Sequence, residues 1–176
     1  MGCTCPSVSF RGYEVGDYEQ VAALWTRINR ELAPAHMREL FEEYIAVALN
    51  GELRQLPDIF SAARRNAFWV VQSGARTIGT FGIENRGDDS TELRRMYLDR
   101  ECRGRGIAQR MLSQAEQHAH DLGFSRMVLS TAEIQKAAIA FYRKSGYRLV
   151  ETEVADAIST RTVGGGLTRF HFEKPL

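Results

Sequence analysis

Residues 92–112, "ELRRMYLDRECRGRGIAQRML", pass from alternating to helical patterning across Arg103, Gly104, Arg105 and Gly106. Upstream of that join, Glu92, Arg94, Met96 and Leu98 share one face of a strand and Leu93, Arg95 and Tyr97 the other. Polar side chains on both faces make this an odd central strand. Downstream, Ile107, Met111, Leu112, Ala115, Ala119 and Leu122 recur at helical spacing until Gly123 stops the helix. "RMVLST" then reads as a buried strand. Strand, loop, helix and strand in that order imply one parallel crossover within a largely antiparallel sheet.

The remaining chain fits around this unit. "AFWVVQ", a turn at Ser73-Gly74 and "RTIGTFGIE" form a hairpin, and "NRGDDS" is a polar loop leading into the strand that contains Glu92. Earlier, "SVSFRGY" alternates, and Asp17 begins a helix with Gln20 at the capping-box position. Val21, Leu24, Trp25, Ile28 and Leu32 give that helix a buried face, and Pro34 ends it. A second apolar stripe runs through Met37, Leu40, Phe41, Tyr44, Ile45 and Ala48, followed by a turn or short helix in "LPDIFSAARRN". Near the end, "QKAAIAFYRKSG" reads as a helix closed by Gly146, "YRLVETEV" as a strand, and "LTRFHFEK" as the last strand after Gly164-Gly165-Gly166.

Composition narrows the function. A chain of 176 residues with 44% hydrophobic and 26% charged side chains suits a single domain over residues 1–176. Its 23 basic and 22 acidic residues leave a net charge of +1, which supplies no broad field for nucleic acid. Phosphate binding must then be local. No leader and no membrane-length apolar run is visible, so a soluble, cytoplasmic protein is expected, with no membrane partner. Met1-Gly2 is followed by Pro6 where a myristoylation signal needs Ser or Thr. Three cysteines are an odd count, and Cys3 and Cys5 stand too close to bridge each other, which fits a reducing compartment. Cys-x-Cys with scattered histidines suggests a metal only weakly, because His118 and His120 diverge on a helix; no metal is expected.

The Gly-rich join has two readings, an ordinary turn or an anion cradle. A helix starting there carries unbonded N–H groups and partial positive charge, and glycines at 104 and 106 let an anion approach the main chain. It lacks the Lys-Ser/Thr of a Walker A loop and the third glycine of a dinucleotide fingerprint. Arg103-x-x-Gly106-x-Ala108 resembles the Q/R-x-x-G-x-G/A pyrophosphate loop of the GNAT superfamily of acyl-CoA-dependent N-acetyltransferases. "AAIAFYRKSGY", residues 137–147, resembles that family's A-x-x-x-Y-x-x-x-G-F/Y segment. The likeness covers about residues 67–150, the first 60 residues agreeing only in outline. It implies an α+β fold with three α/β/α layers, in which helices flank a mixed, mostly antiparallel sheet of about seven strands with a central parallel pair.

The resemblance also implies an activity, the transfer of an acetyl group from acetyl-CoA to a primary amine by direct attack in a ternary complex. Main-chain groups of Met96, Tyr97 and Leu98 would hold the pantetheine arm. Those of Arg103, Gly104, Arg105, Gly106, Ile107 and Ala108 would cradle the diphosphate. Gln135 stands where many members carry Asn, so its contact with coenzyme A is altered or lost. Glu92 is the candidate general base, or alternatively a strand carboxylate paired with Arg94. Tyr142 is the candidate hydrogen-bond donor to the departing sulfur, or alternatively a core tyrosine beside Phe141. Cys102 has no histidine placed to activate it and reads as a bystander.

In the family, residues 26–38 and 151–166 would shape the pocket for a small-molecule or peptide amine, in a monomer or homodimer. Glu151, Glu153 and Asp156 could attract a cationic acceptor. The alternative function is a non-catalytic acyl-CoA-binding regulatory or interaction module on the same fold.

Overall fold

The computed structural model describes residues 7–176; the readings made on Met1, Gly2, Cys3, Cys5 and Pro6 lie outside the described residues. The strands are β1 (Val8–Gly12), β2 (Ala67–Ser73), β3 (Arg76–Gly87), β4 (Ser90–Leu98), β5 (Arg126–Ala132), β6 (Arg148–Ala155) and β7 (Leu167–Pro175). They form one 7-stranded sheet in the order β1-β2-β3-β4-β5-β7-β6. All neighbours are antiparallel except β4 and β5, which are parallel, as the crossover pattern requires. The polar loop expected at "NRGDDS" is shorter than anticipated, because β3 continues to Gly87. Asp88 and Asp89 alone make the turn, with φ of 49° and 55°, the left-handed pair that suits a tight hairpin.

Helices cover both faces. On one, α1 (Tyr18–Leu32) and the segment from α2 (Arg38–Val47) to α3 (Leu56–Ile59) bury Val21, Trp25, Leu53 and Leu56 against Phe68 and Val70 of β2. On the other, α4 (Ile107–Asp121) and α5 (Lys136–Lys144) cover the opposite side chains of the same strands, with Met111, Leu112 and Ala115 against Trp69, Phe81 and Leu129. Each fully buried Leu, Phe or Met contributes about 1.5–3 kcal/mol, so these two faces carry most of the stability.

Two local expectations fail for physical reasons. Asp17 already has helical torsions (φ −82°, ψ −9°) because a 3-10 turn precedes it, so it cannot act as an extended N-cap and forms no box with Gln20. Its carboxylate accepts from the Glu14 amide and pairs with Arg11 at 2.6 Å. Gln20 instead accepts from the Thr77 amide at 2.7 Å and donates to the Ala75 carbonyl at 3.2 Å, fastening α1 to the β2–β3 turn. The second failure is in β4. Its pairing with β3 slips between Thr80 and Gly82, and Arg95 sits at φ 51°, a bulge that breaks the alternation.

As a result Leu93 before the bulge and Met96 and Leu98 after it all face the α4 core, Tyr97 faces α1, and Arg94 and Arg95 both reach Glu52. The face grouping expected from strict alternation therefore holds only as far as Arg94. Glu52 itself comes from a widened helical turn, Ala48–Glu52, that follows α2 and leaves the carboxylate 4% exposed.

Candidate active site

β4 and β5 pair only from Ser90 to Glu92 against Arg126 to Val128, and then separate. The gap opens a cavity of about 120 Å3 lined by Glu92, Met96, Tyr97, Leu129, Thr131, Gln135 and Tyr142, among others. A smaller cavity of about 60 Å3 shares Tyr97, Thr131, Gln135, Arg161 and Arg169 with it and extends to Asn29, Phe41 and Val163. The bulge helps to make this space, because a regular β4 would keep its edge parallel to β5. Trp25 holds the bulge in place by donating to Thr80 Oγ1 at 3.1 Å, which in turn donates to the Arg95 carbonyl at 2.9 Å.

The Gly-rich loop lies beyond the end of β4. Gly104 and Gly106 both have φ 73°, where an L side chain is strained, and the space beside each is open. The first backbone bond of α4 runs from Arg110 N–H to the Gly106 carbonyl at 3.1 Å. Among the described residues, the amides of Gly104, Gly106, Ile107 and Ala108 meet no carbonyl. Arg105 lies exposed between the two glycines. Arg103 differs from the expectation: its amide is bonded to the Arg100 carbonyl at 3.2 Å, and its Nε donates to the Leu98 carbonyl at 3.0 Å. That residue caps the end of β4 and fixes the loop.

Gln135 precedes α5 and its Oε1 accepts from Thr131 Oγ1 at 2.8 Å and from the Ala132 amide at 3.1 Å. Its carbonyl oxygen is thus spent on the end of β5. Tyr142 is buried on α5, with its ring edge-on to Phe141 and Tyr147, and burial raises its pKa so that the hydroxyl stays protonated. Glu92 is 8% exposed, and its partner is not Arg94. Arg161 and, at 3.5 Å, Arg86 both meet its Oε2; Oε1 takes no hydrogen bond among the described residues. Cys102 is buried in the core beneath α4.

Sequence reasoning missed a cluster of charged side chains beside the two cavities. Arg94 pairs with Glu52 at 3.0 Å and with Glu84, and Arg95 pairs with Glu52 at 2.5 Å while lying 4.6 Å over the Trp25 ring. Arg161 joins Glu84 at 3.1 Å and Glu92. The loop between β6 and β7 closes over them, its Thr160 carbonyl accepting from Arg95 at 2.8 Å. The only signal was the run of arginines on both faces of β4. Glu151, Glu153 and Asp156, by contrast, are exposed and do not line either cavity.

The fold as a whole is shared with solved structures. A GNAT-family acetyltransferase from Staphylococcus aureus superposes with a TM-score of 0.76 at 14% identity, covering 97% of this chain and 99% of that one. A PaiA N-acetyltransferase from Thermoplasma acidophilum, solved with coenzyme A, superposes with a TM-score of 0.72 at 19% identity over 97% and 99%. These likenesses establish the fold. The sequence model of the acetyltransferase (GNAT) family matches residues 23–147, and the chain belongs to that family.

Among curated relatives, N-acetyltransferase 8B of Homo sapiens is 30% identical over 60% of this chain and 48% of its own length. N-acetylaspartate synthetase of Danio rerio is 31% identical over 67% and 43%. The chain therefore spans about half the length of these relatives. Among the described residues, no group of His, Cys, Asp and Glu could hold a metal ion, and no helix is long and apolar enough to cross a membrane.

Proposed function

We propose that this chain, working as one domain, transfers an acetyl group from acetyl-CoA to a primary amine by direct attack within a ternary complex. The observation that carries this reading is the juxtaposition of unbonded amides at Gly104, Gly106, Ile107 and Ala108 with the gap between β4 and β5. Such amides at a helix start suit a diphosphate, and the unpaired edge of β4 at Met96 and Tyr97 suits the amides of a pantetheine arm. Leu98 contributes less than the family likeness implies, since its carbonyl is already bonded to Arg103.

The chemistry follows from the two candidate side chains. An alkylammonium with a pKa of about 10.4 costs roughly 4–5 kcal/mol to deprotonate at pH 7, at about 1.36 kcal/mol per unit. Glu92 Oε1 accepts that proton, directly or through water, while Arg161 and Arg86 hold Oε2 and fix the carboxylate. The neutral amine attacks the thioester carbonyl, and a main-chain N–H in residues 96–98 stabilises the oxyanion. Collapse breaks the C–S bond and releases the thiolate, to which the Tyr142 hydroxyl donates a hydrogen bond. The thiolate takes the second proton from the new amide nitrogen, so that coenzyme A leaves as the thiol, and Glu92 releases the first proton to solvent.

A thiol-release assay with acetyl-CoA, longer acyl donors and a broad amine panel tests the reading. Thiol and amide should form one to one, and Glu92→Gln should lower kcat by about 10²–10⁴. Coenzyme A binding with no thiol release from any amine would leave only the non-catalytic module.

A further inference from the structure

Of the four guanidinium groups that line the acceptor cavities, all but one have a carboxylate. Glu52, Glu84 and Glu92 answer Arg94, Arg95 and Arg161. Arg169 on β7 is only 8% exposed, lines both cavities, and has the neutral Ser130 hydroxyl as its hydrogen-bond partner. No carboxylate among the described residues lies within ion-pair distance of it. Glu153 stands directly opposite on β6, yet it is turned outward to His171 at 2.7 Å, with its side chain 47% exposed. Burial lowers the pKa of Arg169, the sign that desolvation of this charge is not fully offset, with Glu153 and Glu92 opposing the shift from a distance. A buried charge that is only partly compensated is costly, and such perturbed groups cluster at functional sites.

We infer that Arg169 is the receptor for a carboxylate on the acceptor, so that the substrates are amines carrying a carboxylate close by, free amino acids or their small derivatives, rather than polyamines or protein lysines. This rests on the acetyl-transfer reading above for the amine end and extends it to the other end of the acceptor. The geometry is consistent at both ends. Glu92 and Arg169 both line the larger cavity, and Arg169 also lines the smaller one, so that one can take a proton from the ammonium while the other pairs with the carboxylate. At about 10–15 Å3 per water-sized group, the smaller cavity of about 60 Å3 accommodates roughly four to six such groups, the scale of an aminocarboxylate head.

The test pairs each of a set of amino acids with the amine it becomes on decarboxylation, under saturating acetyl-CoA. The wild type should favour the amino acid in kcat/KM by on the order of 10²-fold, the scale of one buried charge-assisted contact. Arg169→Met should collapse that ratio toward unity, and Arg169→Lys should restore part of it. Equal turnover of amine and amino acid by the wild type, or loss in Arg169→Met that is the same for both, would overturn the inference. A second readout is independent of turnover: calorimetric binding of N-acetylated amino acids to the protein with coenzyme A, which should weaken at least about tenfold in Arg169→Met. Such binding in a protein that turns over no amine would sink the acetyl-transfer reading and keep the carboxylate receptor. Its absence in the wild type would remove the receptor even if amines are acetylated.

Discussion

The two ends of the cavity are built from different materials. At the proposed cofactor end the available groups are main-chain amides, presented by a loop of contiguous residues that lies exposed at the start of α4. At the proposed acceptor end they are charged side chains drawn from the turn after α2, from β4, from the β6–β7 loop and from β7, all largely withdrawn from water. Main chain is the same in every residue, so a short motif suffices to specify the first end. A side-chain cluster depends on how distant segments are brought together, so the second end is specified by the fold as a whole. One end can recognise a ligand shared by many proteins, and the other can be retuned residue by residue.

Removing the central carboxylate strains this comparison most. Glu52→Ala leaves Arg94 and Arg95 buried without their shared partner, and unfolding by denaturant should show a loss of about 3–5 kcal/mol. Acceptor turnover should fall with it, while the coenzyme A affinity of the folded fraction should change little. A loss of both together would show that the two ends are not separable.

Gly106→Val attacks the other end. A branched side chain at φ 73° costs about 1–2 kcal/mol of local strain, and relaxing it turns the amides at the start of α4 out of register. Calorimetry should show coenzyme A binding weakened by at least about tenfold, with the unfolding midpoint moved far less than in Glu52→Ala. Unchanged binding would show that the loop is only a turn.

The smallest effect should come from Tyr142→Phe, with kcat reduced by roughly tenfold and the fold retained. Because burial raises the tyrosine pKa above its ordinary value of 10.0, the hydroxyl remains a donor at every pH below that. The alkaline limb of the kcat profile should therefore be the same in the wild type and the variant. A wild-type profile that falls below pH 10 and is restored in Tyr142→Phe would reveal a titrating phenol and reverse the assignment.

The contrast between the two ends also explains what was legible in the sequence. Alternation in β2 and β3, the apolar stripes of α1 and α4, and the crossover from β4 to β5 follow from periodicity, and all of them stand in the fold. The loop around Gly104 and Gly106 was visible for the same reason, since its information is local. Arg103 was misassigned in detail because nothing in its spacing reveals that its Nε turns back to Leu98. Asp17 looked like a cap because the 3-10 turn before it leaves no periodic trace. Arg161, Arg169 and Glu52 were invisible as a group: they lie on separate elements and meet only through the sheet order β4-β5-β7 and the wide turn after α2. The acidic run around Glu151 suggested a cation trap, but an edge strand turned those side chains to water.

The extra residue at Arg95 has a wider consequence. It divides one strand into two segments that are out of phase, the first facing the acceptor and the second the thioester in the proposed reaction. Side chains before the bulge can therefore change while the backbone path at 96–98 stays put. A one-residue deletion between the segments would bring them back into phase and swap inward-facing for outward-facing side chains along the whole second segment. The irregularity thus acts as a joint that uncouples the facing of side chains on one segment from that on the other.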